Sequence, residues 1–186
     1  MASLLSGEDF EVLFTTFSHT AFRLEVRESY AGMPYEVEPL RQFLAGEDSI
    51  DLDWTIEYRA LVAANAAAGR RSERVRVVTE PWSDYTKFGV WLAAGTNAAG
   101  EDIRYLARTH PVVSGLPDQD FWLFDSSSLY VLHFTEDDNL IGAEHVTDPL
   151  QIIAANATRD AAWHYAESRD QYAKRHGLVD QRSPSA

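Results

Sequence analysis

The stretch Asp120-Phe-Trp-Leu-Phe-Asp125, with the two apolar runs behind it, constrains the fold more than any other part of the chain. Leu129-Tyr-Val-Leu-His-Phe134 follows a Ser126-Ser-Ser128 spacer, and Leu140-Ile-Gly-Ala-Glu-His-Val146 follows the polar turn Thr135-Glu-Asp-Asp-Asn139. Short aromatic and β-branched runs bounded by turn residues read as strands. Runs this close together pair as antiparallel neighbours in a meander. Phe121, Trp122, Leu123 and Phe124 are continuous, not alternating, which marks a strand covered on both faces. The core is therefore expected around this strand, with an acid at each of its ends.

The rest of the chain supplies helices and further strands. Ser6-Gly-Glu-Asp9 reads as a helix start, a serine cap with acids in the first turn, leading to Phe10, Leu13, Phe14 and Phe17 at helical spacing. From Ala21 the period becomes two: Phe22, Leu24 and Val26 alternate with Arg23, Glu25 and Arg27. Ala31-Gly-Met-Pro34 breaks the chain. A helix is expected over about 35–44, with Val37, Leu40, Phe43 and Leu44 as its apolar stripe and Gly46 at its end. A second helix, capped by Asp51 or Asp53, runs to Gly69. The basic cluster Arg70-Arg-Ser-Glu-Arg74 leads into a strand at 75–78, which Glu80-Pro81 ends. Ser83 or Asp84 can cap another helix, although 87–94 also fits a strand turning at Gly95. Ile103-Arg-Tyr-Leu106 is a strand, 111–117 a loop, and Asp148-Pro149 opens a last helix with the stripe Leu150, Ile152, Ile153, Ala157, Ala161, Trp163 and Tyr165.

Helices between the early strands imply parallel crossovers, and the late meander is antiparallel. The fold class expected is α/β, with α+β as the alternative: a mixed central sheet with helices on both faces. Residues 1–179 form a single domain and 180–186 a polar frayed tail. At 186 residues no disulfide or metal is needed for stability, and there is no cysteine to supply a thiolate site or nucleophile. The net charge of −13 disfavours direct binding to nucleic acid, whose phosphates need clustered Lys and Arg. No run approaches the roughly 18 apolar residues of a membrane span. Residues 1–9 lack the basic start and apolar core of a signal peptide, so a cytoplasmic protein is expected.

Three groups of residues are candidates for chemistry. His19, Arg23 and Arg27 share the charged face of the first long strand with Glu25; if that face is covered they line a cleft or form an internal salt-bridge network, and if not they are a solvated face. Glu80, Ser83, Asp84 and Tyr85 lie past a strand end at a helix start, where open sheets bind ligands, or else form a cap with a packed aromatic pair. Asp120 and Asp125, five apart, fall on opposite sides of one strand and act as separate acids or as turn formers. Arg76 and Trp122 complete the candidate ligand-binding set. No catalytic residue, cofactor or metal is expected. His133, His145, His164 and His176 make no metal-ligand spacing, and no phosphate loop, dinucleotide fingerprint or nucleophile elbow is present.

The stretches Leu5-Ser-Gly-Glu-Asp-Phe10, His19-Thr-Ala-Phe-Arg-Leu-Glu-Val-Arg27, Arg41-Gln-Phe-Leu-Ala-Gly46, Glu73-Arg-Val-Arg-Val-Val78, Glu80-Pro-Trp-Ser-Asp-Tyr85, Gly100-Glu-Asp-Ile-Arg104, Leu116-Pro-Asp-Gln-Asp-Phe-Trp-Leu-Phe-Asp125 and Asp160-Ala-Ala-Trp163 resemble a family of short actinobacterial proteins known only as a domain of unknown function. The resemblance runs from about residue 4 to 172. The chain departs from it over 93–99, where that family carries a more polar Thr-Pro-Tyr-like segment. Members are often encoded beside helix-turn-helix regulators, so the resemblance implies a regulatory protein partner. The order of elements is also similar to phospholipase D-like domains. Their His-x-Lys has its nearest counterpart in His133-Phe-Thr135, without the lysine, which implies a non-catalytic scaffold. The function expected is a non-enzymatic regulatory or ligand-sensing protein working with a helix-turn-helix regulator, with a small anionic ligand and a homodimer left open. The alternative is an enzyme acting on an anionic phosphate or carboxylate substrate through the Arg23/Arg27 face with Glu80, Asp84 or Asp125.

Overall fold

A computed structural model describes residues 4–30 and 34–178. The expected break at 31–34 lies almost wholly outside these residues, and the expected tail from 180 lies entirely outside them. Eight strands form one sheet: β1 Leu4–Leu5, β2 Thr20–Glu25, β3 Arg71–Val78, β4 Glu101–Ala107, β5 Phe121–Phe124, β6 Ser128–Phe134, β7 Leu140–Val146 and β8 Glu167–Ser168. Their spatial order is β1-β7-β6-β5-β2-β3-β4-β8. β2, β3 and β4 are parallel, because helices carry the chain back between them. β5, β6 and β7 are the antiparallel meander. β2 is the seam, parallel to β3 and antiparallel to β5.

The helices are α1 Glu8–Glu11 and α2 Leu13–Thr16 before β2; α3 Pro34–Ala45 and α4 Ile56–Ala67 between β2 and β3, α4 being entered through a 3-10 turn at Asp53–Thr55; α5 Asp84–Ala99 between β3 and β4; and α6 Pro149–Tyr165 and α7 Arg169–Arg175 after the meander. One sheet face is apolar at its centre, with Glu73, Asp102 and Arg104 on the same face toward its margin and Arg104 lying over the Trp163 ring. Phe22, Leu24, Val75, Val77, Phe121 and Leu123 pack there beneath Ala155, Ala162, Ile152 and Trp163 of α6. The other face carries two apolar clusters. Phe10, Phe14 and Phe17 meet Trp122, Phe124 and Tyr130 at one end, and Val90, Ala93, Ile103, Tyr105 and Tyr172 pack together at the other. Between them the alternation of β2 and β3 brings up charged residues. Phe121–Phe124 are all buried in the fourth strand of eight, as their continuity requires.

Residues 87–94 are helical. Ser83 caps α5 by accepting the Thr86 N–H, and Gly100 ends it at φ 117°, a conformation glycine adopts without strain. Thr86, Phe88, Val90, Trp91 and Ala93 are all buried, so the helical period is blurred and a strand fits the same letters.

Several expectations need correction. The helix expected from Ser6 is two separate turns. Asp53 does not cap α4; Asp51 instead accepts the Asp53 N–H at 2.9 Å, and no side chain caps that helix. β3 begins at Arg71, inside the basic cluster. On α3, Val37 and Leu44 face out, and the buried residue is Pro39. On α6, Leu150 and Ile153 are 75% and 64% exposed and Tyr165 also faces out, while Ala155 and Ala162 are buried. Small side chains let α6 sit close to the sheet, which puts the larger ones on the outer surface. β1, β8 and α7 carry too few or too polar residues to show a period.

Leu24, at 0% exposure, is packed at the seam of the two sheet halves. Leu24→Ala is expected to cost about 3–5 kcal/mol, read as a lowered urea midpoint with an unchanged slope.

Candidate functional site

The parallel register sets Arg23 beside Arg74 and Glu25 beside Arg76 on the inner face of β2 and β3. Three guanidinium groups so close, under helices, are tolerable only with anions among them. Glu25 supplies the first. Its Oε1 lies 3.0 Å from Arg23 Nε and 2.7 Å from Arg74 Nη1, and its Oε2 lies 2.6 Å from Arg76 Nε. Glu101 of β4 is the second: it accepts from Arg74 Nε at 2.9 Å and from the Tyr58 hydroxyl at 3.2 Å. Asp120 is the third. It accepts the Val26 N–H at 2.8 Å and the Tyr30 hydroxyl at 2.5 Å, with Arg23 Nη2 at 3.5 Å. All three carboxylates are at most 3% exposed.

The arginines are not equally engaged. Arg74 has a partner at each of its three nitrogens, the third donating to the Tyr58 hydroxyl at 3.0 Å. Arg76 uses only Nε on Glu25. Its Nη1 lies so close over Gly89 of α5 that a Cβ there would stand 2.7 Å away. Neither Nη atom of Arg76 hydrogen-bonds to any described residue, and its guanidinium lies 5.5 Å over the Tyr30 ring. A side chain at position 89 would push this guanidinium from its place.

Above these residues is a cavity of about 610 Å³. Tyr35 and Glu36 of α3 wall it on one side and Trp54 and Tyr58 on another, and Tyr85 and Gly89 come from α5. Tyr35 and Trp54 pack ring to ring at 4.8 Å, and the Tyr85 hydroxyl donates to Glu36 at 2.9 Å.

The candidates named from the sequence divide into two sets. Arg23, Arg76 and Tyr85 line the cavity; Asp120 buttresses it from below, and Trp122 lies beneath Arg23 and Arg74, 5.5 and 5.9 Å from their guanidinium carbons. The others stand elsewhere. His19 is exposed before β2 and gives its backbone N–H to Asp125. Asp125, at φ 51°, also accepts the N–H groups of Ser18 and Thr20 and closes that turn. Arg27 leaves the strand to pair with Asp138 over the Phe134 ring. Glu80 accepts from Tyr172 at 2.7 Å and contacts Arg175 and His176 at 3.1 Å, fastening α7. Ser83 is the cap of α5, and Asp84 pairs with Lys87 at the surface. Among the described residues no three His, Asp or Glu are grouped to hold a metal ion, and no helix is long and apolar enough to cross a membrane.

The profile of one protein family matches residues 8–174. The chain belongs to DUF6879, a domain of unknown function. No curated protein matches it. The match takes in every strand of the DUF6879 sheet except β1, and all the cavity residues named above.

Sequence reasoning passed over Arg74, Glu101, Tyr30, Tyr58 and Glu36. Arg74 was within reach: carrying the two-residue period of β3 back into the basic cluster puts it on the face of Arg76. Glu101 starts a strand and looks like any helix-to-strand turn acid. Tyr30 and Glu36 come from a loop and a helix start, where no period points inward, and Tyr58 falls at helical spacing with Trp54, Leu61 and Val62 and so reads as core.

Two carboxyls titrate in opposite senses. Burial alone raises Glu25, but Arg76, Arg74 and Arg23 together hold it down to about 2. Its stabilising contribution is present above the ordinary carboxylate range and is lost as pH falls toward 2. Burial pushes Glu36 up, against the Tyr85 hydrogen bond and the Arg76 charge, which pull it down. Ionising Glu36 therefore costs stability, and that cost grows as pH rises through its raised value. Glu36→Gln, which keeps the acceptor for Tyr85, is expected to raise the melting temperature at pH 8 and to leave it unchanged at pH 4. Glu25→Gln strands buried positive charge and is expected to cost about 3–5 kcal/mol at pH 7 by urea denaturation.

Proposed function

We propose that this protein is a non-enzymatic ligand-sensing module that binds a small anionic group in the cavity under α3, α4 and α5, and that it works with a helix-turn-helix DNA-binding regulator. One observation carries the reading: Arg76 presents two donor nitrogens, without acceptors among the described residues, to a cavity of ligand size. Volumes of roughly 300–1,000 Å³ are usual for small-molecule sites, and about 610 Å³ falls within that range. A guanidinium edge suits a carboxylate or phosphate held by two parallel hydrogen bonds. The buried carboxylates of the cavity floor are spent on arginines, which favours binding over turnover. The net charge of −13 disfavours direct contact with DNA phosphates, so DNA reading is assigned to the partner. The same considerations fit a cytoplasmic protein.

A second reading, an enzyme for an anionic substrate, is favoured by Glu36 alone. It is a carboxyl displaced upward in a cavity beside a cation, as general acids often are. That reading requires Glu36→Gln to abolish turnover while anion binding survives.

Titration calorimetry with acetate, citrate, nicotinate and inorganic phosphate tests the first reading. At least one anion should bind, and Arg76→Gln should weaken it by about 10- to 100-fold while the variant stays folded by circular dichroism. Equal affinity in Arg76→Gln, or no binding by any of the four, would contradict it.

A further inference from the structure

The charges of the cavity do not balance. Three arginines and five glutamates line it. Glu25 and Glu101 are taken up by arginines, but Glu11, Glu36 and Glu57 form no ion pair with any described residue. A ligand bringing only negative charge would satisfy Arg76 and meet these three carboxylates unscreened by any cation of its own.

Their placement says what is missing. Glu36 is the chain neighbour of Tyr35 in α3 and Glu57 stands three residues after Trp54, so the cavity lining that holds the Tyr35–Trp54 ring pair also holds two carboxylates. Aromatic faces with carboxylates beside them attract an ammonium group. The Trp54 indole N–H is itself buried with no acceptor among the described residues. Tyr85 connects this end to the other: its hydroxyl bonds Glu36, and the Arg76 charge acts on it. A single tyrosine side chain therefore bridges an anion-seeking edge and a cation-seeking wall.

We propose that the cavity takes a zwitterion of the amino-acid or short-peptide class, with its carboxylate on the Nη edge of Arg76 and its ammonium between Glu36 and the Tyr35–Trp54 pair, Glu57 standing at the rim. The inference rests on the anion-binding reading and narrows it. It makes charge separation in the ligand, not negative charge alone, the basis of selectivity. The ammonium supplies the cation that Glu36 lacks, and the free edge of Arg76 receives the carboxylate.

The test uses the whole protein and matched probes. The twenty amino acids and a set of dipeptides are titrated by calorimetry, each beside its N-acetyl form, which has no cation, and its C-terminal amide, which has no carboxylate. The expected result is one or more free forms binding about tenfold or more tighter than both blocked forms. Glu36→Gln combined with Glu57→Gln should bring the free form down to the affinity of its N-acetyl counterpart, and should leave the N-acetyl form as tight or tighter. Arg76→Gln should weaken the free and N-acetyl forms and spare the amide. Melting curves of each variant show that it is folded. An N-acetyl form as tight as the free one, still weakened by Arg76→Gln, would overturn the zwitterion and leave the anion reading standing. An amide that binds as tightly as the free form, or no binding across the whole set, would also overturn it.

Discussion

The carboxylate of Glu25 lies within 3.0 Å of guanidinium nitrogens from three different arginines, and the arrangement of the sheet turns on this contact. β2 and β3 meet in a parallel register that sets like charges side by side. They can do so under helices only because one carboxylate serves all three cations and two others, Glu101 and Asp120, finish the count. Such a network is seldom more stable than an apolar face of the same shape. The opposite face of these same strands, directly behind the arginines, is apolar, built from Phe22, Leu24, Val75 and Val77. The chain therefore places apolar side chains here readily, and a charged floor instead indicates a use for charge.

That use is preorganisation. Arg74 is fixed by Glu25, Glu101 and Tyr58, and Arg23 lies between Glu25 and Asp120 above the Trp122 ring. Arg76 is anchored at Nε alone and leaves its far edge over Gly89. A guanidinium held from behind in this way loses little freedom when a ligand arrives. The apolar clusters on either side, built on Phe14 and Trp122 at one end and on Val90 and Tyr172 at the other, keep this floor from shifting.

Much of this arrangement was legible in the letters. The continuous run from Phe121 to Phe124 announced a doubly covered strand, and the Arg23/Glu25 alternation announced a charged face next to it. The meander and the parallel crossovers followed from spacing. What could not be read was the company those residues keep. Arg27 continues the alternation of Arg23 and Glu25 on paper, yet β2 ends at Glu25 and Arg27 turns away to Asp138. Glu80 looked like a site residue and is a fastening for α7. Glu36 and Tyr30 enter the cavity from segments with no periodic signal, because a cavity wall built from a loop and a helix start is a product of tertiary packing. The phase of α6 is hidden for a related reason: alanine carries little hydrophobic weight in a pattern, yet at close helix–sheet contact it is the residue that fits.

The charged floor exists only if Glu25 is held ionised by its arginines. Carbon-13 NMR of the Glu25 side-chain carboxyl, followed from pH 7 downward in the folded protein, measures this directly. The resonance is expected to stay at its ionised position through the ordinary carboxylate range, with a midpoint at about 2. A midpoint at or above the usual 4.5 would mean that the three guanidinium groups do not converge on it, and the charged floor described above would not exist.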